Sequence, residues 1–195
     1  MKLRFIRHGS TASNELKRYL GTTDEVLSEK GIAAIRQRKA EGEYPPADLV
    51  ASSPMRRCLQ TAELIYGSRA FILIEEWREI DFGSFECKNY IGLQDNPDYQ
   101  EWIDSQGKLP FPEGESREAF VERGIAGFRN FCRQIQNRNP QPETVSLILH
   151  GGTIMSILSS FSGEEYYSFQ CKNGEGYSCE LYLGEDISLG QIKRS

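Results

Sequence analysis

Hydrophobic residues are concentrated in short runs that predict β-strands. The first run occupies residues 2–7, with apolar side chains at Leu3, Phe5 and Ile6. Runs this short match the usual length of strands rather than that of helices. Similar runs predict further strands over 48–52, 71–74 and 145–149. Two or three closing strands are predicted near the end of the chain, over 166–170, 177–183 and 188–193.

Longer stretches between these runs have helical composition or period. They predict helices over 28–41, 54–66, 115–138 and 153–161. Ser28 is a suitable N-cap for the first helix, and Pro54 suits the first turn of the second. The third helix has the clearest period, because its apolar residues recur at intervals of four and three and form a continuous stripe. These residues are Val121, Ile125, Phe128, Cys132 and Ile135.

Strands that alternate with helices favour an α/β fold. The prediction is a three-layer α/β/α arrangement with a mostly parallel central sheet, and 195 residues fit a single domain over 1–195. The stretch 84–114 lacks a sustained period and contains several turn-forming residues. It predicts an excursion of short helices and loops, which is a candidate lid.

Composition and charge narrow the class of protein. Hydrophobic residues make up 38% of the chain and charged residues 26%, as in ordinary globular proteins. A net charge of −5 gives no general basic field, so we expect no nucleic-acid partner. No apolar run is long enough for a signal peptide core or a membrane span, so we expect no membrane association and a cytoplasmic protein. The five scattered cysteines predict reduced thiols.

The two histidines occupy equivalent positions. His8 and His150 each follow an apolar strand directly and precede a glycine. Ligands of parallel sheets bind beyond the carboxyl ends of the strands, where helices begin. A single histidine there is more often a structural residue held by a hydrogen bond, but two at equivalent strand ends favour a functional site.

Residues next to His8 are suited to an anion. We expect the backbone N–H groups after the strand to point at the anion, and Gly9 to let the main chain approach it closely. The guanidinium group of Arg7 can pair with two phosphoryl oxygens at once, which lysine cannot do. The alternative for Arg7 is a surface ion pair.

Several motifs in the same order resemble those of the histidine phosphatase superfamily, which includes the cofactor-dependent phosphoglycerate mutases. Arg7-His8-Gly9-Ser10-Thr11-Ala12-Ser13-Asn14 is similar to its RHG-x-T-x-x-N opening. The other similar segments are Leu27–Gly31, Ser53–Ala62, Glu79–Gly83, Gly114–Ser116 and His150–Gly152. The resemblance implies a phosphoglycerate mutase-like fold.

The resemblance also implies roles for individual residues. His8 is the expected nucleophile, which becomes a phosphohistidine, and Glu79 is the expected proton donor. Arg7, Arg57 and His150 are expected to hold the phosphoryl oxygens, with Arg57 rather than Arg56 in the family position. Three further residues are expected to contact the substrate, namely Asn14, Gly21 and Gly151.

Physical chemistry agrees with this division of roles. A neutral imidazole is a good nucleophile once its other nitrogen donates to an acceptor such as a carbonyl. Two guanidinium groups and backbone donors can stabilise the charge of a phosphoryl group in flight without a metal, so no metal or other cofactor is expected. A carboxyl group can protonate the leaving alkoxide if burial raises its pKa. Glu75, Glu76 and Asp81 are rivals of Glu79 for this role.

The balance of charges favours hydrolysis over isomerisation. In the mutases an arginine follows the acid, whereas here the residue is Ile80, and 84–114 offers only Lys88 and Lys108 as cations. We therefore expect a phosphomonoester phosphatase for a small phosphorylated metabolite, with α-ribazole 5'-phosphate as one candidate. The alternatives are a cofactor-dependent phosphoglycerate mutase, a non-catalytic phospholigand-binding protein and a metal hydrolase.

Overall fold

The computed structural model describes residues 1–195 and contains seven strands and seven α-helices. The strands are β1 (Lys2–Arg7), β2 (Leu49–Ser52), β3 (Ile72–Leu73), β4 (Thr144–Leu149), β5 (Gly176–Leu183), β6 (Ile187–Leu189) and β7 (Lys193–Arg194). The helices are α1 (Ala12–Glu15), α2 (Glu29–Ala40), α3 (Arg56–Tyr66), α4 (Tyr90–Leu93), α5 (Pro97–Asp104), α6 (Arg117–Gln136) and α7 (Gly151–Ser162). Single 3₁₀ turns lie at Glu75–Trp77, Gly83–Phe85 and Tyr166–Phe169.

All seven strands belong to one mixed sheet. Its order is β3-β2-β4-β1-β5-β6, and β7 also pairs with β5. The four strands β3, β2, β4 and β1 are mutually parallel, whereas β5 runs antiparallel to β1 and β6 and β7 run antiparallel to β5. Helices cover both faces, which confirms the predicted α/β architecture.

Alternate residues of the central strands pack into two separate cores, one on each face of the sheet. Phe5 and Leu147 face α6 and α7, in a cluster that also contains Phe128, Phe131 and Ile157. On the opposite face a smaller cluster joins the strands to α2 and α3, with Ile6, Ile35, Val50, Ala62 and Ile148. Because both faces are buried, the strands read as nearly continuous apolar runs.

The predicted excursion over 84–114 has a core of its own. It contains α4, α5 and the intervening turns, as expected of short helices and loops. Phe85, Leu93, Tyr99 and Phe111 are buried there in a third cluster, together with Phe120 of α6. Many of the aromatic rings in and around this cluster meet edge to face, an arrangement that aromatic quadrupoles favour. The excursion is therefore packed against the rest of the protein through α6.

Most helix boundaries follow the capping signals. The side chain of Ser28 accepts a hydrogen bond from the Gly31 N–H at the start of α2, as predicted. Pro54 does not lie in the first turn of α3, because Ser53, Pro54 and Met55 precede the helix and Met55 is its extended N-cap. No helix is both long and apolar enough to cross a membrane.

Two of the predicted closing strands differ from the structure. In the range 166–170, Tyr166–Phe169 form a 3₁₀ turn rather than a strand, since half-buried Tyr166 and buried Phe169 are three residues apart, a helical spacing. The range 188–193 divides into β6 and β7 at Gly190, whose N–H donates to the Glu180 carbonyl. Both short strands pair with β5, at different positions along it.

Candidate active site

The two histidines meet because their strands are neighbours. β1 and β4 pair in parallel with Arg7 opposite Leu149, so His8 and His150 leave the same edge of the sheet at the same level. Their ring centroids are 5.2 Å apart, and both residues are buried. The structure therefore brings the two strand-end histidines together at one edge of the sheet.

The hydrogen bonds of His8 define its tautomer. Its Nδ1 lies 2.7 Å from the carbonyl oxygen of Gly9. Because a carbonyl oxygen can only accept, Nδ1 carries the proton and Nε2 keeps a free lone pair. The carbonyl acceptor expected from the sequence for the non-nucleophilic nitrogen of His8 is thus the carbonyl group of Gly9.

One detail of the anion prediction is wrong. The N–H of Gly9 does not point at an anion, since it donates to Oγ1 of Thr61 at 2.9 Å. The backbone donors beside the histidines come instead from α7, which begins at Gly151 directly after His150. The first N–H groups of a helix have no partner within it and attract anions.

Both histidines are held in the neutral form. Burial lowers the pKa of His8 well below its usual value of 6.5, and the positive charges of Arg57 and Arg7 lower it further. The pKa of His150 is lowered well below 6.5 by burial and then by Arg57, His8 and Arg7. A neutral His8 is the nucleophilic form of the side chain.

Arg57 is fully buried in the first turn of α3, whereas the preceding Arg56 is exposed. Its terminal nitrogens donate to the carbonyl groups of Thr23 and Gly21, each at 2.9 Å. Its Nε donates to Nδ1 of His150 at 3.3 Å. These bonds fix a positive charge beside both imidazole rings.

The bond from Arg57 also defines the state of His150. Since Nδ1 of His150 accepts, its Nε2 carries the proton and donates to Oγ of Ser53 at 2.8 Å. Ser53 directly follows β2, the strand next to β4. Three parallel strands therefore contribute to the site at their carboxyl ends.

Arg7 has donors that the protein does not use. One terminal nitrogen donates to the Cys171 carbonyl at 2.7 Å, but its buried Nε has no acceptor within the protein. A side chain at Gly151 would begin only 3.3 Å from this Nε, so a glycine there lets Arg7 lie over the start of α7. An anion bound there would be contacted by the guanidinium group and the helix N-terminus together.

Glu79 also lies beside the start of α7, next to Gly152. It follows the 3₁₀ turn Glu75–Trp77, and its Oε1 accepts a hydrogen bond from the Ile80 N–H at 3.1 Å. A side chain at Gly152 would begin 2.7 Å from this Oε1, so the carboxyl group lies against the helix terminus. Burial raises the pKa of Glu79, and the hydrogen bond from Ile80 and the charges of Arg57 and Arg7 lower it by less.

Two of the three predicted substrate contacts have other bonds in the structure. The N–H of Gly21 donates to Glu86 and its carbonyl accepts from Arg57, so both backbone groups are used within the protein. Oδ1 of Asn14 accepts from the Thr11 N–H and from the Asn173 side chain, which leaves the Asn14 NH₂ group. The third, Gly151, lies under Arg7.

A small apolar cavity adjoins Glu79. Its volume is about 230 Å³, and nine of its 13 lining residues are hydrophobic. Three of the hydrophobic residues come from the excursion (Trp102, Leu109 and Phe111), and Arg117 is the only cation in the lining. The Glu79 carboxyl group is the only acid in this lining. No group of three or more His, Cys, Asp or Glu side chains is placed to hold a metal ion.

Residues 3–185 match the family model of the histidine phosphatase superfamily, branch 1. The chain belongs to this family. The match covers every element described above except the last strands, and the buried histidine pair lies within it.

Individual histidine phosphatases resemble the chain over most of its length. Phosphoserine phosphatase 1 of Hydrogenobacter thermophilus is 26% identical over 180 residues, 89% of this chain and 83% of the relative. Adenosylcobalamin/alpha-ribazole phosphatase of Escherichia coli is 29% identical over 185 residues, 89% and 87% of the two chains. A crystal structure of phosphoserine phosphatase from Entamoeba histolytica, in complex with 3-phosphoglyceric acid, has a TM-score of 0.78 at 26% identity, covering 100% and 97%. The protein is accordingly an enzyme, a histidine phosphatase.

Two residues that hold the candidate site together were not predicted from the sequence. Asn173 donates to the His8 carbonyl at 3.0 Å and to Asn14, and it comes from a turn 165 residues after His8. Arg123 of α6 donates to the carbonyl groups of Glu76, Arg78 and Glu79. Neither position has a local signal in the sequence, because each contact depends on tertiary packing.

The lowered pKa of His8 predicts that acid destabilises the fold through this residue. Below its usual pKa of 6.5 the unfolded chain binds a proton on His8 that the folded protein does not. This lowers the free energy of unfolding by up to about 1.4 kcal/mol per pH unit. His8→Asn keeps a donor near Nδ1 and removes this contribution, so its stability should fall less steeply with acid.

Urea denaturation of the wild type and of His8→Asn at about pH 7, 6 and 5 measures the two slopes. The raised pKa of Glu79 acts in the opposite direction, since the folded protein binds that proton more readily, but it is common to both proteins. Equal slopes would contradict a neutral, buried His8.

Proposed function

We propose that this enzyme hydrolyses phosphomonoesters without a metal, through a phosphohistidine on His8, with Glu79 as the proton donor. The observation that carries the proposal is the tautomer of His8. Its Nδ1 is fixed by the Gly9 carbonyl, so the Nε2 lone pair is available as a nucleophile. The site around it is otherwise cationic, which suits a phosphoryl group.

The first half of the reaction transfers the phosphoryl group. Nε2 of His8 forms a bond to phosphorus while the bond from phosphorus to the alcohol oxygen breaks. That oxygen takes the proton of the Glu79 carboxyl group and leaves as a neutral alcohol. In the second half, Glu79 takes a proton from water, the water oxygen bonds to phosphorus, and the P–N bond breaks to release phosphate.

Arg7, Arg57 and His150 are the proposed ligands of the phosphoryl oxygens, and His150 contacts them by exchanging the Nε2–H bond that it donates to Ser53 for one to the phosphoryl group. The unused Nε of Arg7 and the N-terminus of α7, with Gly151, supply donors that do not have to reorganise during the reaction. The remaining NH₂ group of Asn14 is a further proposed donor to substrate. Gly21 is better placed to hold Arg57 than to contact the substrate, because its carbonyl accepts from that side chain.

The proposed substrate is a small phosphorylated metabolite. Two relatives that the chain resembles are named phosphoserine phosphatase and adenosylcobalamin/alpha-ribazole phosphatase, and phosphoserine is a small phosphomonoester. α-Ribazole 5'-phosphate is therefore one candidate. Arginine side chains rather than a metal ion balance the charge of the phosphoryl group in this proposal.

A covalent intermediate on His8 is the first expected outcome. Wild-type enzyme mixed with ³²P-labelled substrate and quenched in alkali should carry a label that acid removes, as expected for a phosphoramidate. His8→Asn should carry no label and lose at least about 10³-fold in kcat, because the nucleophile is gone. Active wild-type enzyme that never becomes labelled would contradict the intermediate.

The leaving group should determine how much Glu79 matters. With alkyl phosphates, Glu79→Gln should lower kcat by about 10²- to 10⁴-fold, since an alkoxide needs a proton. With 4-nitrophenyl phosphate the loss should be much smaller, because nitrophenolate leaves without one.

The pH profile gives a second measure of the same residue. Activity should rise with pH as His8 loses its proton, and this rise lies below pH 6.5 because the pKa of His8 is lowered from that value. Activity should fall at higher pH as Glu79 loses its proton, and this fall lies above pH 4.5 because the pKa of Glu79 is raised from that value. Glu79→Gln should keep the rise and lose the fall. If Glu79→Gln lost the same factor in kcat on alkyl and nitrophenyl phosphates and kept the fall of activity at higher pH, another group would be the proton donor.

A further inference from the structure

We infer that the apolar cavity beside Glu79 receives an uncharged, ring-bearing alcohol as the leaving group. The inference rests on the proposed function, because it takes Glu79 as the group that protonates the departing oxygen. That proton fixes where the leaving group lies: its oxygen must be next to the Glu79 carboxyl group, and Glu79 lines the cavity. The rest of the alcohol extends into the space beyond.

The walls of this space are aromatic. Trp102 and Phe111 are stacked with ring centroids 5.0 Å apart, and Phe82 meets Phe111 edge to face at 4.9 Å. Tyr167 and Leu109, which also line the cavity, are 56% and 42% exposed. Apolar surface that remains in contact with water favours an apolar group that covers it.

The charges of the lining argue against a charged alcohol. Arg117 is the only cation among the lining residues, and it already donates to the Gly107 carbonyl at 2.7 Å. Its guanidinium group also lies over the rings of Tyr166 and Tyr167, at 5.8 and 5.6 Å. Glu79 is the only acid and must be protonated to act. The ammonium group of a zwitterion such as serine would find no carboxylate in the lining, because Glu79 is protonated in the proposed reaction.

Three alkyl phosphates test the inference on the purified protein. Ethyl phosphate, 2-phenylethyl phosphate and phosphoserine all release alcohols that need a proton. We expect kcat/KM for 2-phenylethyl phosphate to exceed those for the other two by on the order of tenfold or more, a plausible effect of one ring in an apolar pocket.

Two tyrosines of equal exposure provide a matched pair of variants. Tyr167 lines the cavity and Tyr182 lies on β5, outside the lining, and each is 56% exposed. Tyr167→Ala should lower the ratio of the phenylethyl to the ethyl rate several-fold, whereas Tyr182→Ala should leave it unchanged. Arg117→Met should not lower the phenylethyl rate selectively.

The outcomes separate the two proposals. Equal rates on ethyl and phenylethyl phosphates would overturn the pocket while leaving the phosphatase in place. Preferred hydrolysis of phosphoserine that Arg117→Met abolishes would also overturn it, by showing a carboxylate site. No hydrolysis of any phosphomonoester, 4-nitrophenyl phosphate included, would overturn the proposed function itself.

A separate observation, the bonding of Arg123, points to a positioning residue for the proton donor. All five N–H donors of its guanidinium group have acceptors. Two go to the Glu115 carboxylate at 2.7 and 2.8 Å, and three go to the carbonyl groups of Glu76, Arg78 and Glu79 at 2.8, 2.8 and 3.1 Å. A planar guanidinium group with this many hydrogen-bond partners fixes the position of the backbone that carries the Glu79 side chain.

Glu115 supports the same segment from the other side. Its backbone N–H donates to the Asp81 carbonyl at 2.9 Å, and its carboxylate accepts from the Asp81 N–H at 3.4 Å. The backbone of the segment from Glu76 to Asp81 is thus held by the side chain of Arg123 in α6 and by Glu115, just before this helix. A shift of the segment would move the Glu79 carboxyl group away from the leaving oxygen, with little effect on phosphate binding.

Arg123→Lys tests this role, since lysine keeps the charge but cannot form the fork. We expect kcat for ethyl phosphate to fall by about tenfold or more, with KM little changed and 4-nitrophenyl phosphate much less affected. Arg129→Met is the control, because Arg129 is an exposed arginine of the same helix. An equal loss on both substrates, or a change confined to KM, would overturn the positioning role.

Discussion

The parallel pairing of β1 with β4 is the constraint on which this site depends. Because Arg7 lies opposite Leu149, the next residue of each strand is a histidine, and both emerge at one edge of the sheet. A slip of one residue would turn alternate side chains to the other face and separate the two rings. The apolar residues that fill the cores on both faces hold this register, so the hydrophobic effect determines the geometry of a polar site.

Burial then determines the charge state of the site. It shifts the pKa of the histidines and the pKa of the carboxyl group in opposite directions. It lowers the pKa of both histidines and raises that of Glu79, so all three favour their neutral forms. The guanidinium group of Arg57 stays buried and charged because carbonyl groups and His150 surround it. The resulting site is positive before substrate binds, which matches the negative charge of a phosphoryl group.

The two tasks of the proposed reaction fall on different parts of the chain. The strand ends and the helices that follow them bind and transfer the phosphoryl group. The cavity for the alcohol takes four of its 13 lining residues from the excursion over 84–114, which has an aromatic core of its own. A change of substrate could therefore be achieved in the excursion without disturbing the sheet that holds the histidines.

The sequence by itself determined the α/β architecture, most elements and the residues to examine first. Two histidines at strand ends, an arginine before one of them and the spacing that selects Arg57 over Arg56 are local features. Strand and helix periods and caps are also local, because they depend on neighbours within a few residues. Where no such pattern existed, as at 166–170, the prediction was wrong, since packing of Tyr166 and Phe169 favoured a turn.

Only the tertiary structure decided how the site is held together. Asn173 reaches His8 from 165 residues away, and Arg123 reaches the carbonyl of Glu79 from 44 residues away. The use of the Gly9 N–H by Thr61 and the apolar character of the cavity are likewise products of packing. Sequence patterns carry the local preferences of the backbone, whereas contacts between distant residues exist only once the core has fixed the relative positions of the strands and helices.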